Sequence, residues 1–516
     1  MTPHDVHLAW KAGREIAVID LREEHLHAVG HPLFATCLAL SRLELGIFDL
    51  IPRRDTPIVL FDEDGSMVEA GRARLQAWGY RHVDVLEGGL PAWQAAGLEL
   101  FADVNSPSKA FGELVEHRRG TPYVTAEQLH GLIADNADLV VMDARRFDEY
   151  QTMSVPGAVS VPGAELVLRA RALAPDPETM IVVNCAGRTR SIVGTQSLIN
   201  AGLPNPVRAL RNGTIGWTLD GLSLATGQSE QAGIDEGGEA DALRRARAVS
   251  YRAGVKRVDH SDLGSLVDPA CTLYRFDVRS EAEYLAGHPE GFRWMQGGQL
   301  VQEVDMVAAV RGAQILLFDD RGVRAHMTAS WLAQMGWDCF VVEDCPADAL
   351  RTGPWRPNEP APEASATIAP ADVAARLGDM LVLDLASSTV HAKGHLPGAR
   401  FIMRGRLGSD LPAEAQARSI LLVSPDDRLA RHAAGELRQA GCADVTVLAG
   451  GTQAWRAAGL PIETGMSDPL SPAQDVYRRP YEGLDNPREK MSAYLEWEYG
   501  LVAQLERDGS HGFIVI

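Results

Sequence analysis

Residues 181–191, with the sequence IVVNCAGRTRS, join an apolar strand to a cysteine, a glycine and two arginines. A helical pattern follows, so the cysteine opens the turn between a strand and a helix. Free backbone N–H groups in such a turn, together with the positive end of a helix, favour negative charge. The pattern predicts that Cys185 is a reactive thiol; the alternative is a small buried hydrophobic residue at a strand end.

The positive groups around Cys185 determine how far its thiol ionises. A pKa near ~8.5 leaves about 3% thiolate at pH 7, and lowering it by roughly two units needs about 2.7 kcal/mol. A helix terminus contributes only about 0.3–1 kcal/mol. We therefore expect the loop N–H groups and the guanidinium groups of Arg188 and Arg190 to supply the rest.

The composition is typical of a globular protein with several cores. The chain has 516 residues, 46% of them apolar and 23% charged, and this length predicts about three to five domains. No apolar run approaches the ~20 residues of a membrane span, and the N-terminal residues lack the basic and apolar segments of a secretion signal. A net charge of −20 argues against nucleic acid and anionic membranes as partners.

Cysteine usage and the absence of known binding motifs argue against a cofactor. Six cysteines without a CxxC pair predict neither a disulfide framework nor a zinc site, and they favour a reducing compartment, the cytoplasm. His25, His27 and His31 cluster, but no carboxylate or thiolate set completes a ligand shell. The sequence has no Gly-rich phosphate loop or dinucleotide fingerprint, so we expect no metal and no cofactor.

A strand that ends in aspartate occurs four times, at intervals of about one domain length. The four segments are AVID (17–20), VVMD (140–143), YRFD (274–277) and LVLD (381–384). In three of them an arginine lies two residues after the aspartate, and a turn with glycine and proline follows in all four. This recurrence indicates four copies of one unit.

Each unit continues with a second apolar strand, a polar loop and a helical pattern rich in alanine and leucine. The second strands are IVLF (58–61), IVVN (181–184), ILLF (315–318) and ILLV (420–423). Three units close with a Gly-Gly or Asn-Gly turn and a tryptophan, at Trp93, Trp217 and Trp455. Strands that alternate with helices predict a mostly parallel sheet covered on both faces, with ligands bound beyond the carboxyl ends of the strands.

Together these motifs resemble the rhodanese family of sulfurtransferases. The Asp-x-Arg strand end, the Gly-His-x-Pro-Gly-Ala turn, the cysteine loop and the Gly-Gly-x-x-x-Trp segment recur from residue 1 to residue 465. The resemblance implies an α/β chain of four tandem rhodanese-like domains, each with a parallel five-stranded sheet flanked by helices. It also implies that the active cysteine opens the loop after the fourth strand.

Only the second unit has a cysteine at the active position. Asp62, Asp319 and Ser424 occupy the same position in the other units, so we expect those units to be inactive. Anion binding by their loops stays open, because arginines lie nearby at Arg321, Arg324 and Arg428.

Stretches of linker-like composition separate the predicted domains. Residues 103–121, 227–239 and 358–366 are polar and rich in glycine, proline or small residues. The predicted domains are 1–102, 121–228, 255–357 and 366–465, followed by a tail at 466–516. Residues 487–507 of the tail repeat apolar side chains at helical spacing. This pattern predicts an amphipathic helix, and we favour packing across domains or against a dimer partner over a substrate lid.

For the second unit the resemblance implies sulfur transfer through a persulfide. The Cys185 thiolate attacks the outer sulfur of a sulfane donor such as thiosulfate, and cyanide, a small thiol or a protein thiol then accepts that sulfur. Mercaptopyruvate is an alternative donor. The predicted substrate-binding residues are those of the loop: Ala186, Gly187, Arg188, Thr189, Arg190 and Ser191. The two guanidinium groups are expected to orient the oxyanion end of the donor.

Two other classes of function stay open from the sequence. A persulfide carrier or scaffold would use the same thiol with little turnover, and a homodimer is compatible with either role. A cysteine-dependent phosphatase or arsenate reductase would need an arginine six residues after the cysteine, where this chain has Ser191. Asp143 and Arg145 are expected to brace the fold, whereas Arg169 and Arg211 are further candidates for the pocket.

Overall fold

The computed structural model of the chain describes residues 1–266 and 268–516. It contains four α/β units in chain order, which we call units 1 to 4, and each has a five-stranded sheet flanked by helices. The predicted fold class is confirmed. The domain boundaries stay a prediction.

Unit 2 has a sheet of five parallel strands, one of which is central. In spatial order these are Tyr123–Val124, Val207–Leu210, Met180–Asn184, Leu139–Asp143 and Val159–Ser160. The central strand Met180–Asn184 is buried from its second residue onward, because its run of apolar, mostly β-branched residues suits a strand covered on both faces. The helices of this unit are Ala126–Ala134, Phe147–Thr152, Leu166–Leu173, Thr189–Asn200 and Gly213–Leu219.

Units 3 and 4 repeat the strand order of unit 2, and again every neighbouring pair is parallel. The strands of unit 3 are Lys256–Asp259, Asp338–Glu343, Gln314–Phe318, Leu273–Asp277 and Arg293–Trp294. Those of unit 4 are Ala366–Ile368, Val445–Leu448, Ile420–Val423, Leu381–Asp384 and Arg400–Phe401. The internal repeat is therefore a repeat of topology as well as of sequence.

The sheet of unit 1 departs from this pattern at one edge. Four strands are parallel: Val83–Val85, Ile58–Phe61, Ile16–Asp20 and Ala35–Cys37. The fifth strand, Val310–Arg311, comes from unit 3 and pairs antiparallel with the start of Ile16–Asp20. Unit 3 thus completes the sheet of unit 1.

The remaining helices are distributed as follows. Unit 1 has Pro3–Lys11, Glu24–Val29, Leu43–Leu50, Val68–Ala77 and Gly89–Ala95. Unit 3 has Glu281–Ala286, Gly297–Gln302, Val304–Val307 and Val323–Gln334, and unit 4 has Pro370–Ala374, Ser388–Lys393, Leu407–Asp410, Arg428–Gln439 and Gly451–Ala457. Between units lie Ser106–Arg119, which we call the bridging helix, and Glu239–Arg252; the tail contributes Arg488–Asp508, the tail helix.

One hydrophobic core joins unit 1, unit 3, the bridging helix and the tail. Its buried members include Ile19 of unit 1, Leu317 of unit 3, Phe111 of the bridging helix and Leu501 of the tail helix. The units are therefore not structurally independent, because these four segments share one water-excluding core.

The linker predicted at residues 103–121 is wrong for most of its length, since the bridging helix occupies it and its first ten residues are buried. Its polar side chains are buried because they have partners. Lys109 forms an ion pair with Asp103 at 2.7 Å, and Ser108 donates a hydrogen bond to a carbonyl of unit 3.

The tail helix predicted at residues 487–507 is confirmed as Arg488–Asp508. It packs on the bridging helix and on Gly213–Leu219 of unit 2, and Arg507 pairs with Glu99 of unit 1 at 2.8 Å. The predicted packing across domains is therefore also confirmed. In the part of the chain described, no helix is long and apolar enough to cross a membrane.

Candidate active site

The cysteine loop, residues 185–191, leaves the end of the central strand of unit 2 and runs into the helix Thr189–Asn200. The Asn-Gly turn at residues 212–213 binds this loop. Thr214 donates its backbone N–H to the Cys185 carbonyl at 2.9 Å, and Ile215 donates its N–H to the Ala186 carbonyl at 3.0 Å. Gly213 makes this approach possible, because its φ of +53° is left-handed and a Cβ there would collide with the loop backbone. The Asn-Gly turn thus fixes the loop.

The environment of Cys185 contains opposing influences on its charge. The side chain is 2% exposed. Burial raises the pKa of the thiol, while the charge of Arg190 and hydrogen bonds from Ser191 lower it, and the net direction is upward. The prediction of a lowered pKa is therefore wrong for this closed arrangement, because removal of water outweighs the positive groups of the loop.

Arg190 is the arginine that influences the sulfur. Its guanidinium group forms a bidentate pair with Glu149 at 2.7 and 2.9 Å. Burial raises the pKa of Glu149, but the charge and hydrogen bonds of Arg190 outweigh it and lower that pKa to about 2. Arg190 is thus held by Glu149, and its charge acts on the thiol of Cys185.

Arg188 is placed differently from the expectation. It donates to Glu113 of the bridging helix at 2.6 and 2.8 Å, pairs with Glu116, and lies 4.2 Å from the ring centroid of Tyr499. Its guanidinium therefore connects the loop to the bridging and tail helices instead of facing the sulfur. The sequence expectation that both arginines orient an anion at Cys185 is corrected in this respect.

The tail helix covers the cysteine loop from outside. A Cβ at Gly187 would lie 3.2 Å from both Tyr494 and Glu498, so these side chains touch the loop backbone. The sequence pattern missed this role, although a glutamate within an otherwise apolar helical stripe was a signal that could have revealed it.

A polar cavity of about 340 Å³ adjoins the site. Arg190 and Glu149 line it from unit 2, Gln299 from unit 3, Lys393 from unit 4, and Tyr481 from the tail. Arg190 therefore belongs both to this cavity and to the surroundings of the sulfur. Three units and the tail together form this cavity, so the sequence of a single repeat does not predict it.

In units 1 and 3 a carboxylate occupies the position of the sulfur. The Asp62 carboxylate accepts a hydrogen bond from the backbone N–H of Val68 at 3.2 Å. The Asp319 carboxylate accepts from the backbone N–H and from Nε of Arg324, at 2.8 and 2.9 Å. The same turn in two sister units therefore holds a negative charge with backbone and guanidinium donors.

Two further features of the sister loops match unit 2. Arg324 pairs with Glu283 at 2.9 and 3.0 Å, as Arg190 pairs with Glu149. In unit 4 the hydroxyl of Ser424 accepts from the N–H of Ala430, six residues later; Ser191 stands six residues after Cys185. The arrangement around Cys185 is thus a variant of a recurring anion-holding loop.

The other arginine candidates already have partners. Arg321, Arg324 and Arg428 pair with carboxylates, so free guanidinium groups for anions are not seen in those loops. Arg169 pairs with Glu165, and Arg211 stacks on Tyr123. Arg145 donates to Asp143 at 2.9 and 2.7 Å and to the Met153 carbonyl, and so braces the turn after its strand.

In the histidine cluster of unit 1, the contacts of His27 are with neighbouring protein side chains. His27 binds Asp20 through Nδ1 at 2.9 Å and stacks on His31. Across the described residues, no group of three or more His, Cys, Asp or Glu side chains is arranged to hold a metal ion.

Comparison with known proteins gives three findings. The family profile of the rhodanese-like domain matches residues 2–96, 125–220 and 369–458, in units 1, 2 and 4. The crystal structure of a thiosulfate sulfurtransferase from Pseudomonas aeruginosa is 53% identical, covers 100% of this chain and 99% of its own, and has a TM-score of 0.97. A curated thiosulfate sulfurtransferase from Pseudomonas aeruginosa PAO1 is 31% identical over 171 residues, which are 29% of this chain and 62% of that protein. The chain thus matches less than two thirds of the length of that curated relative.

Proposed function

We propose, because this chain belongs to the rhodanese-like domain family, that it is a thiosulfate sulfurtransferase whose reaction takes place at Cys185 of unit 2. The name of the full-length structural relative supports this activity. A thiol relay of this kind suits a reducing compartment, and the cytoplasm is the proposed location.

One observation carries the assignment to Cys185. Units 1 and 3 place a carboxylate where unit 2 places its sulfur, and backbone N–H groups bind that carboxylate. A loop that binds a carboxyl group through its N–H groups in two copies is suited to hold a thiolate or an anionic persulfide in a third. Cys185 is the residue that turns this binding loop into a nucleophilic one.

The first half-reaction forms the persulfide. The Sγ of Cys185 attacks the outer sulfur of thiosulfate, the S–S bond of the donor breaks, and sulfite leaves with the bonding electrons. Backbone N–H groups of the loop, from Ala186 to Ser191, bind the new terminal sulfur. Arg190 attracts the oxyanion end of the donor from the adjoining cavity.

In the second half-reaction an acceptor takes the sulfur. Cyanide, a small thiolate or a protein thiolate attacks the outer sulfur of the persulfide, and the Cys185 thiolate leaves. The charge of Arg190 and the hydrogen bonds of Ser191 favour that thiolate as a leaving group.

A persulfide carrier with little turnover is the second candidate function. The burial of Cys185 favours it, because a sulfur enclosed beneath the tail helix exchanges slowly with free small molecules. Turnover separates the two candidates: repeated transfer from thiosulfate to cyanide indicates the enzyme, and a stable persulfide that passes only to a protein partner indicates the carrier.

The test is a sulfur-transfer assay with thiosulfate and mercaptopyruvate as donors, combined with mass spectrometry of the intact protein. We expect the wild-type protein to gain the mass of one sulfur atom from thiosulfate and the Cys185→Ser variant to gain none. A Cys345→Ser variant, which removes a cysteine of unit 3, is the matched control and should behave like wild type. Failure of the wild-type protein to gain sulfur from either donor, or full activity in Cys185→Ser, refutes the proposal.

A further inference from the structure

The polar cavity that adjoins the cysteine loop is lined by charged side chains, and most of them are paired. Four arginines line it, and each forms an ion pair at 2.6 to 2.8 Å. Three of its four carboxylates are partners in those pairs. The two charged groups that remain are Lys393 of unit 4 and Glu303 of unit 3.

Lys393 is the last residue of the helix Ser388–Lys393, and its side chain is exposed. Among the described residues its ammonium group forms no hydrogen bond and no ion pair. An ammonium group offers three N–H donors and a compact positive charge. Unit 4, which has no cysteine at the loop position, thus contributes an unpaired cation to a cavity beside the cysteine loop of unit 2.

Glu303 provides the opposite charge from unit 3. It is half-buried and lies between the helices Gly297–Gln302 and Val304–Val307. Its carboxylate accepts no hydrogen bond in the part of the chain that the structure describes. Arg146 interacts with its charge but is paired with Asp148 at 2.8 Å. The carboxylate is therefore available to a cationic group in the cavity.

Two side-chain amides complete the polar wall of the cavity. They belong to Gln299 and Gln302, and within the described residues neither amide is hydrogen-bonded to another protein group. Gln302 is only 7% exposed, and a polar group so deeply buried normally has a partner. Its unmet hydrogen bonds therefore indicate a ligand with polar groups of its own.

The cavity is large enough for a small organic molecule. Its volume of about 340 Å³ falls within the ~300–1,000 Å³ that is usual for small-molecule sites. Arg190 lines the cavity, and its charge acts on the thiol of Cys185. A ligand in the cavity therefore lies beside the arginine that influences the reacting sulfur.

We propose that this cavity binds the sulfur acceptor, and that the acceptor is a small zwitterionic thiol, an amino acid or short peptide with a carboxylate, an ammonium and a thiol group. This inference rests on the proposed function and names its substrate class. Lys393 binds the carboxylate, Glu303 binds the ammonium, and the two glutamine amides bind the remaining polar groups. The acceptor thiolate forms an S–S bond with the outer sulfur of the persulfide, the S–S bond to Cys185 breaks, and the Cys185 thiolate leaves, so no oxidant or reductant is needed.

The test uses three thiols with different charged groups. Free cysteine carries both charges, cysteamine lacks the carboxylate, and mercaptopropionate lacks the ammonium. The protein is first loaded with sulfur from thiosulfate, and the loss of that sulfur to each thiol is followed by rapid quench and intact mass. Each variant is compared with wild type on the same thiol, so that the intrinsic reactivity of the thiol cancels.

Each substitution should affect only the thiols that carry the matching charge. Lys393→Gln should slow transfer to cysteine and mercaptopropionate by about 3- to 5-fold, the effect of one partly exposed charge pair, and should not slow transfer to cysteamine. Glu303→Gln should slow transfer to cysteine and cysteamine by a similar factor and should not slow transfer to mercaptopropionate. Lys11→Gln and Glu281→Gln change exposed side chains outside the cavity and, as matched controls, should resemble wild type with all three thiols.

The proposal requires both charge-specific losses. Equal losses with all three thiols, or undiminished transfer to cysteine in either cavity variant, refute it. A wild-type protein that gains no sulfur refutes the proposed function instead, and binding alone then tests the cavity. By calorimetry the Cys185→Ser variant should bind cysteine, and the addition of Lys393→Gln should weaken that binding by about 3- to 5-fold; absence of binding, or equal binding in both proteins, refutes the proposal.

Discussion

Gly213→Ala should displace the cysteine loop without touching a reactive group. Gly213 has φ of +53°, where a non-glycine residue costs about 1–2 kcal/mol. Its new Cβ would lie 2.8 Å from the carbonyl carbon of Ala186, whereas carbon atoms pack at about 3.5 Å. The Cβ would come closer still to the carbonyl oxygen of Cys185, so the loop must move by at least about 0.7 Å. Because a shift of about 1 Å at a reacting centre costs up to ~100-fold, we expect kcat/KM to fall by about 10- to 100-fold.

Unit 4 offers a matched control for this substitution. Gly451 has φ of +59°, and a Cβ there would also lie 2.8 Å from a backbone carbonyl carbon, that of Pro425. Gly451→Ala therefore imposes the same strain on a loop without cysteine. Both variants should unfold at a lower temperature in scanning calorimetry, but only Gly213→Ala should lose sulfur transfer from thiosulfate to cyanide. Wild-type kcat/KM in Gly213→Ala, or an equal loss in Gly451→Ala, would contradict the assignment of the reaction to the unit 2 loop.

Three further outcomes follow from the structure. Its positive neighbours, chiefly Arg190, lower the pKa of Glu149 from 4.5 to about 2 in the folded protein. Together they therefore contribute about 3 kcal/mol, which is complete above pH 4.5 and lost as pH falls toward 2. Glu149→Gln should have a lower free energy of unfolding at pH 7 in urea, and its difference from wild type should shrink over that window. In a background without the unit 2 cysteine, Ser424→Cys should gain no sulfur from thiosulfate by mass spectrometry, because Leu429 stands where unit 2 has its arginine; a gain would show that the loop backbone alone suffices. Leu501→Ala removes a fully buried side chain and should lower the free energy of unfolding by about 2–5 kcal/mol. Amide hydrogen exchange should become faster throughout the tail helix. Unchanged exchange would mean that packing of Leu501 in the core does not hold the helix.

Units 1 and 3, which have no cysteine at the loop position, bind the tail that packs on unit 2. The C-terminal end of the chain is bound by both unit 1 and unit 3. Phe513 packs against Phe34 and Phe111, and the Ile514 N–H donates to the Gln334 carbonyl at 2.9 Å. Because these contacts anchor the tail, Tyr494 and Glu498 are positioned on a loop that belongs to a different unit.

Local patterns were sufficient for the strands and for the position of the cysteine. The segments 17–20, 140–143, 274–277 and 381–384 all lie in strands, because continuous apolar runs between turns leave few other conformations. The tail helix was predictable for the same reason, from apolar residues at helical spacing. The bridging helix was not, since its buried residues mix polar side chains such as Ser108, Lys109 and Glu113 with apolar ones, and the polar ones favour a linker unless their partners are known.

The amino-acid sequence by itself determined the fourfold repeat, the parallel sheets and the one unit with a thiol at the end of its central strand, because these depend on periodicity and on residues close together in the chain. Only the tertiary structure decided that Arg190 faces the sulfur while Arg188 binds Glu113, that the thiol is buried with a raised pKa, and that Glu498 lies over the loop. Those features arise from contacts between residues 41 to more than 300 positions apart, as for Arg190 with Glu149 and for Gly187 with Glu498. No local pattern specifies which distant side chain will pair with a given charge, and the electrostatics of the site depend on that pairing.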